Sequence, residues 1–281
     1  MSIGITGASG RLGGAVAARL LDVVDAADVV LMSRTVESLS GFAARGVGVR
    51  PVDFGDPPSL APAFEGVDSL LLISTDRVGD RVAGHVAAIE AAKEAGVRHV
   101  VYTSVPNPVA ANPALAAPDH LATEDALRSS GLAWTSLRNN LYADMQVPSL
   151  RRAVEAGRLV VNSGDGRAAY VSRADCAAAA VGALTGRGET NTAYDITGPR
   201  ALSAYDLAEL TGAALEVVQL DDDAYVEALV GSGLAKDAAN FIASFGRAVR
   251  EGYLADVTTA VRDLTGRRPT SLDELVRPVE A

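Results

Sequence analysis

The sequence predicts an α/β fold in which a parallel sheet is wound by helices on both faces and followed by a smaller C-terminal α/β part. Three observations predict it. Short apolar runs alternate with runs of helical periodicity through the first half, the first apolar run turns into a helix through Gly7, Gly10 and Gly13, and several helical runs stop at a glycine (Gly46, Gly66, Gly96, Gly131). Strands separated by helices pair in parallel, because the crossover leaves a helix on one face or the other. A glycine just past the last periodic residue is a common helix stop.

Taken in order, strands are expected over residues 2–6, 28–33, 47–53, 69–74, 99–104 and 133–137, and helices over 11–24, 36–44, 59–64, 78–95 and 119–129. In the first helix Leu12, Val16 and Leu20 recur at four-residue spacing and share one face. Beyond about residue 140 the pattern loosens into a helix over 148–156, a Gly-rich hairpin-like piece over 160–170 and a helix over 174–184, then short strands and several helices. The division expected is a nucleotide-binding part over 1–145, with the helix near 173–186 packing back onto it, and a smaller substrate-binding part over 146–281. In doubly wound folds the second part closes over the carboxyl ends of the strands, which puts the substrate pocket between the two.

The glycine turn carries the first chemistry. Gly7 permits a tight turn, Gly10 lets backbone N–H groups approach a pyrophosphate, Gly13 lets the helix pack on the sheet, and the helix N-terminus supplies partial positive charge. A ligand-free βα turn has the same glycines. Its place at the first strand, with an amphipathic helix and a second strand following, points to a Rossmann-like dinucleotide site whose contacts include Ser9, Arg11 and Leu12.

An NAD site carries an acidic residue at the end of the second strand for the ribose hydroxyls. Here that strand ends in Ser33 and Arg34, a hydroxyl and a guanidinium suited to a 2′-phosphate, so NADP(H) is the expected cofactor. Arg11 is a candidate second positive charge; solvated surface arginines are the alternative for both. At the third strand end Asp53 and Phe54 are placed near the adenine, Asp53 as an acceptor for its amino group. Ile73, Ser74 and Thr75 after the fourth strand, and Thr103 and Ser104 after the fifth, lie where the nicotinamide half should run, although Ser and Thr at such positions also cap helices.

Many enzymes with this turn deliver a proton from a Tyr supported by a Lys four residues later. None of the seven tyrosines has that partner, and the only lysines are Lys93 and Lys236. A Tyr-Lys general acid is missing, which argues against alcohol dehydrogenation and sugar epimerisation. His120 and Glu124 share a helix face, so Glu124 is a candidate to orient His120; a helix-start acidic cluster with a surface histidine is the alternative. After the sixth strand, Asn139 and Asn140 are candidates to bond a carboxamide or an acceptor oxygen, and Tyr142 to stack or donate. The catalytic candidates are thus Asn139, Tyr142 and His120. A quinone or another conjugated acceptor fits this inventory, because it takes a hydride with little acid assistance.

Composition narrows the partners. The net charge of −10 over 281 residues argues against nucleic-acid phosphates. No apolar run approaches a membrane span and no secretory leader is legible, so a soluble cytoplasmic protein is expected. The single Cys176, in an Ala-rich run, is read as packing, and the scattered His85 and His99 give no metal-ligand spacing.

Together these residues resemble the NmrA-like branch of atypical short-chain dehydrogenase/reductases, most closely the type 2 NAD(P)H:quinone oxidoreductases and the triphenylmethane reductases. The resemblance runs nearly end to end, through residues 5–13, 33–34, 53–56, 70–74, 91–97, 102–104, 120–124 and 130–139, the last two segments being the most specific. It implies an NADPH-dependent reductase of quinones or conjugated dyes that lacks the Tyr-Lys pair. The family often has an aromatic residue where this chain has Leu141, which implies a different or wider acceptor pocket. Two functions stay open at this point: a reductase of a small conjugated acceptor, and a non-catalytic NADP(H) sensor that binds a protein partner. A homodimer is also left open.

Overall fold

The computed structural model describes residues 1–77 and 79–276. Seven parallel strands form one sheet: β1 (Ile3–Ile5), β2 (Val29–Ser33), β3 (Gly48–Pro51), β4 (Ser69–Leu72), β5 (His99–Ser104), β6 (Ala133–Asn139) and β8 (Thr192–Ile196). Their order is β3-β2-β1-β4-β5-β6-β8. The chain therefore runs outward from β1 through β2 to β3, then returns to the far side of β1 with β4. That reversal opens a crevice at the carboxyl ends of β1 and β4, the usual ligand position in open parallel sheets.

The β pleat sorts the core into two faces. Ile3, Ile5, Val29, Leu31 and Leu71 point to one, beneath α1 (Arg11–Leu20), α7 (Arg173–Leu184) and α11 (Ala260–Thr265). Val30, Met32, Leu70, Leu72 and Tyr102 point to the other, beneath α3 (Leu60–Phe64), α4 (Val82–Glu94) and α5 (Ala117–Ser129). Cys176 is buried on α7, against the sheet. The short α2 (Ser40–Ala43) follows a 3₁₀ turn over Val36–Leu39, where the sequence predicts one helix.

A third core gathers the later elements. It joins α6 (Ala143–Ala156), β7 (Arg158–Val161), α8 (Ala204–Leu210) and α10 (Lys236–Arg250) through Leu150, Leu159, Leu207 and Val249, with α12 (Leu272–Val276) adding Leu272. β9 (Glu216–Gln219) completes a two-stranded sheet with β7, and α9 (Asp222–Gly231) precedes α10.

Three expectations change. The hairpin over 160–170 does not form: β7 pairs in parallel with β9, Arg158 opposite Glu216, and the later residues make only an antiparallel bridge from Ala168 to Leu202. A glycine-rich turn looks locally like a hairpin, but the partner strand lies more than fifty residues on. The helix expected over 148–156 begins at Ala143 and carries Pro148 inside it. Its start is fixed from outside, since Ala143 N–H donates to the Val171 carbonyl at 2.8 Å and the Asp144 carboxylate accepts from Arg173 N–H at 2.6 Å. The helix expected over 78–95 starts at Val82, after a turn in which Gly79 has φ +84°. Val78, the first residue of that expected helix, lies outside the described residues, as do residues 277–281 of the expected C-terminal part.

Candidate active site

The glycine turn leaves no room for side chains. Gly7 has φ +62°, and a Cβ on Gly13 would stand 2.3 Å from the Gly7 carbonyl oxygen and 2.8 Å from Ala8 Cα. Both contacts are backbone, so neither can yield. Gly10 caps α1 without any side-chain hydrogen bond, which leaves the first N–H groups of the helix free to meet an anion. Thr6 fixes the neighbouring strand end, its hydroxyl donating to the Leu71 carbonyl at 3.1 Å and accepting from Ile73 N–H at 3.0 Å.

Around this turn lies a cleft of about 290 Å³, lined by Gly7, Ser9, Gly10, Ser33, Arg34, Asp53, Phe54, Ile73, Ser74 and Thr75 among others. Most of the residues that the sequence assigns to the cofactor therefore meet in one place. The Ser33 hydroxyl acts locally, meeting Ser9 Oγ at 2.8 Å and accepting from Thr35 N–H at 3.1 Å, and so shapes the turn that carries Arg34. Among the described residues Arg34 has no carboxylate within ion-pair distance, so its guanidinium is available to a phosphate. Asp53 accepts from Gly55 N–H at 2.9 Å, and Phe54 packs edge-on against His85. Arg11 is exposed at the first turn of α1 and does not line the cleft.

A second, larger cavity of about 520 Å³ meets the first at Ile73 and Ser74. Leu12, Thr103 and Ser104 face this cavity instead of the nucleotide cleft, as do His120, Asn139 and Tyr142. Thr103 Oγ accepts from Ser74 N–H at 2.9 Å and tethers the ends of β4 and β5. Asn139 Oδ1 and Ser104 Oγ are buried without a hydrogen-bond partner, a costly state that a bound polar group would relieve. Asn140 is committed to the fold, since its amide donates to the Leu254 carbonyl at 3.1 Å. Burial pushes the Tyr142 hydroxyl above its ordinary range, and the Arg173 guanidinium stacks over its ring at 4.9 Å. The remaining wall is mostly apolar, including Leu141, Leu159, Tyr170 and Phe245, with Gln146, Ser149, Asn162 and Ser163 as uncharged polar members; no Asp, Glu, Lys or Arg is among its described residues.

Glu124 does not orient His120. Both of its oxygens are held by arginines, Oε1 by Arg138 Nε at 2.9 Å and Oε2 by Arg128 and Arg138 at 2.6 and 2.7 Å. Sharing a helix face brings two residues near each other, but two guanidiniums outcompete a neutral ring for a buried carboxylate. His120 Nδ1 instead meets the Tyr102 hydroxyl at 2.8 Å. Burial holds the His120 pKa well below its ordinary 6.5, with Arg81 and His85 acting in the same direction.

Several contributors are not legible in the sequence. Arg77 and Arg81 line the nucleotide cleft, and His85 Nε2 accepts from Thr75 N–H at 3.2 Å at its edge. Arg81 is buried against Asp119, thirty-eight residues away, and no local pattern announces such a pair. Among the described residues no cluster has the makeup of a metal site, and no helix is long and apolar enough to cross a membrane.

Comparison with known proteins shows the family. A family model described as NAD(P)H-binding matches residues 7–187. Quinone oxidoreductase 2 of Escherichia coli K12 is 36% identical over 278 residues, 98% of this chain and 97% of the relative. The crystal structure of the E. coli NADPH-dependent quinone oxidoreductase QOR2 with NADPH superposes with a TM-score of 0.92, at 34% identity and 98% coverage of both chains. The Citrobacter sp. triphenylmethane reductase with NADP(H) also gives a TM-score of 0.92, at 33% identity, covering 98% of this chain and 99% of that one.

Proposed function

Because the chain belongs to the NAD(P)H-binding family, as an oxidoreductase of its NmrA-like branch, we propose that it uses NADPH to reduce a neutral conjugated acceptor, a quinone before a charged dye. One observation carries the choice of acceptor: the cavity joined to the nucleotide cleft is large and mostly apolar, with no Asp, Glu, Lys or Arg among its described lining residues. A charged acceptor would leave water for a wall that offers it no formal charge of opposite sign. A neutral ring system loses little on entry, and about 520 Å³ lies within the range of small-molecule sites.

The residues present fit the cofactor. In this reading the glycine turn and the N-terminus of α1 hold the pyrophosphate, Arg34 takes the 2′-phosphate with Arg77 nearby, and Asp53 and Phe54 border the adenine. Reduced nicotinamide, bound near Ile73 and Ser74, supplies a hydride. Asn139 Oδ1, buried and unpartnered, is a natural acceptor for a carboxamide N–H, and Ser104 Oγ is a second unpartnered polar atom among the residues that line the cavity. The apolar wall excludes water and Tyr142 gives the acceptor a flat surface. Proximity in a dry pocket then supplies most of the acceleration.

The two parts of the chain divide this work, residues 1–145 with the returning helix α7 binding the nucleotide and the rest of 146–276 closing the acceptor cavity. The relatives described above are reductases, which weighs against a non-catalytic sensor. Following NADPH absorbance with a panel of neutral quinones and cationic dyes tests the proposal. Turnover of quinones with weaker or no dye reduction is expected; tight NADPH binding without turnover of any acceptor would refute it.

A further inference from the structure

Tyr102 stands on β5 with its ring directed into the α3–α5 face of the core, and its hydroxyl meets Nδ1 of His120 on α5 at 2.8 Å. Both side chains are buried, Tyr102 completely and His120 to 3% exposure. His120 Nδ1 is the partner of that hydroxyl at 2.8 Å, with the Thr123 hydroxyl also beside it, while the ring lines the acceptor cavity and its Nε2 makes no bond to the described residues.

The protons of this cluster can be assigned from groups that only donate or only accept. Thr75 N–H is a donor, so His85 Nε2 is unprotonated and His85 carries its proton on Nδ1, toward Thr123 Oγ1 at 3.1 Å. The Asp119 carbonyl is an acceptor, so the neighbouring Thr123 hydroxyl gives its own proton there, at 2.8 Å. The Tyr102 hydroxyl then gives its proton to His120 Nδ1, its partner at 2.8 Å, because Thr123 Oγ1, the other hydroxyl beside it, already takes the His85 Nδ1 proton. His120 is left with its proton on Nε2, the nitrogen open to the cavity.

We propose that Tyr102 is a positioning residue that holds His120 as the Nε2–H tautomer, so that a neutral imidazole donates a hydrogen bond to a carbonyl oxygen of a quinone in the acceptor cavity. Burial keeps the ring neutral, in agreement with this role. A quinone that accepts a hydride gains two electrons and one proton and becomes a hydroquinone monoanion. His120 stabilises the developing charge on oxygen and keeps its own proton; water supplies the second proton after release. This is electrophilic assistance by a pre-oriented donor, which acts where charge develops. The more basic the monoanion, the more it gains from the bond.

The inference rests on the quinone reading above, and two measurements keep them apart. The first needs no turnover. In protein labelled with 15N at histidine, the nitrogen shifts of wild-type His120 should report a single neutral Nε2–H tautomer, and Tyr102→Phe should release it into a mixture. A wild-type ring protonated on Nδ1, or no change in the variant, overturns the positioning role. The second is kinetic: Tyr102→Phe should lower kcat on the order of tenfold with an alkyl-substituted quinone and less than about twofold with a chloro-substituted one, with KM for NADPH unmoved. Equal losses with both quinones mean a structural defect and overturn the donor's role. A wild-type enzyme that oxidises NADPH with no quinone defeats the acceptor reading and the donor's role together, while the nitrogen shifts still decide whether Tyr102 sets the tautomer.

Discussion

Arg81 and Asp119 form an ion pair, Nε to Oδ2 at 3.0 Å, with side chains only 5% and 10% exposed. The pair joins the segment after β4 to the first turn of α5. Asp119 Oδ2 also accepts from Gly79 N–H at 2.8 Å, and Arg81 donates to the Thr75 carbonyl at 2.8 Å. Two charges removed from water are thus compensated by each other and by the backbone they hold. Ile73 to Arg77, Asp80 and Arg81, on either side of this anchor, line one wall of the cleft around the glycine turn.

Breaking the pair should therefore affect both stability and cofactor binding. Asp119→Ala leaves a buried guanidinium uncompensated and should cost on the order of 3 kcal/mol in urea unfolding. It should also weaken NADPH binding by fluorescence titration, because Gly79 loses its anchor. Unfolding that matches wild type would show that the pair does not fasten this wall.

Two neighbouring glycines should respond in opposite ways. Gly13→Ala forces a Cβ to 2.3 Å from the Gly7 carbonyl oxygen, whereas one on Gly14 would meet the Ala8 oxygen at an ordinary 3.6 Å. The first change should nearly abolish NADPH binding. The second should leave binding intact and raise helix stability by about 0.5 to 1 kcal/mol. Calorimetric titration of both variants checks the contrast.

Arg34 should discriminate between the nicotinamide cofactors. It lines the cleft without a carboxylate partner among the described residues, at the end of a strand where the sequence offers no acidic residue. Removing a charge-assisted bond to a 2′-phosphate costs about 1.5 to 3 kcal/mol, so Arg34→Ala should weaken NADPH roughly ten- to a hundredfold. NADH should change little. Equal weakening of both would show that Arg34 does not read the phosphate.

Stability should fall as the solution is acidified below the histidine range. Burial, aided by the Arg81 charge, lowers His85 from 6.5 to about 4, and burial lowers His99 and His120 in the same direction. A histidine depressed in the native state is protonated first in the unfolded chain, so its contribution is complete above pH 6.5 and is lost as pH falls toward 4. For His85 alone the loss is on the order of 3 kcal/mol. Urea midpoints between those pH values should drop for wild type and drop less for His85→Gln; parallel curves would remove His85 from the account.

How much is legible in the chain depends on how local each feature is. The glycine turn, the strand-helix alternation and the Ser33-Arg34 end of β2 are written in neighbouring residues, and the cleft gathers them much as they are read. Features that join distant segments are not written that way. The glycines after β7 suggest a hairpin although its partner is β9, and the spacing of His120 and Glu124 suggests a pair although Arg138 from β6 holds the carboxylate. Tyr102 gives only the signal of a tyrosine without a lysine four residues later, because its partner His120 is supplied by a different element.

The order of residues along the chain thus determined a glycine turn shaped for a dinucleotide, a strand end with a guanidinium in place of an acid and the absence of a Tyr-Lys acid, since backbone geometry and residue chemistry over a few positions suffice for each. Packing of β5, α5 and α10 around one cavity settled which polar groups stay unpaired and which are already taken. The cavity's uncharged wall and the partner of His120 follow from that packing, because desolvation and hydrogen-bond direction depend on neighbours that the chain brings together only when folded.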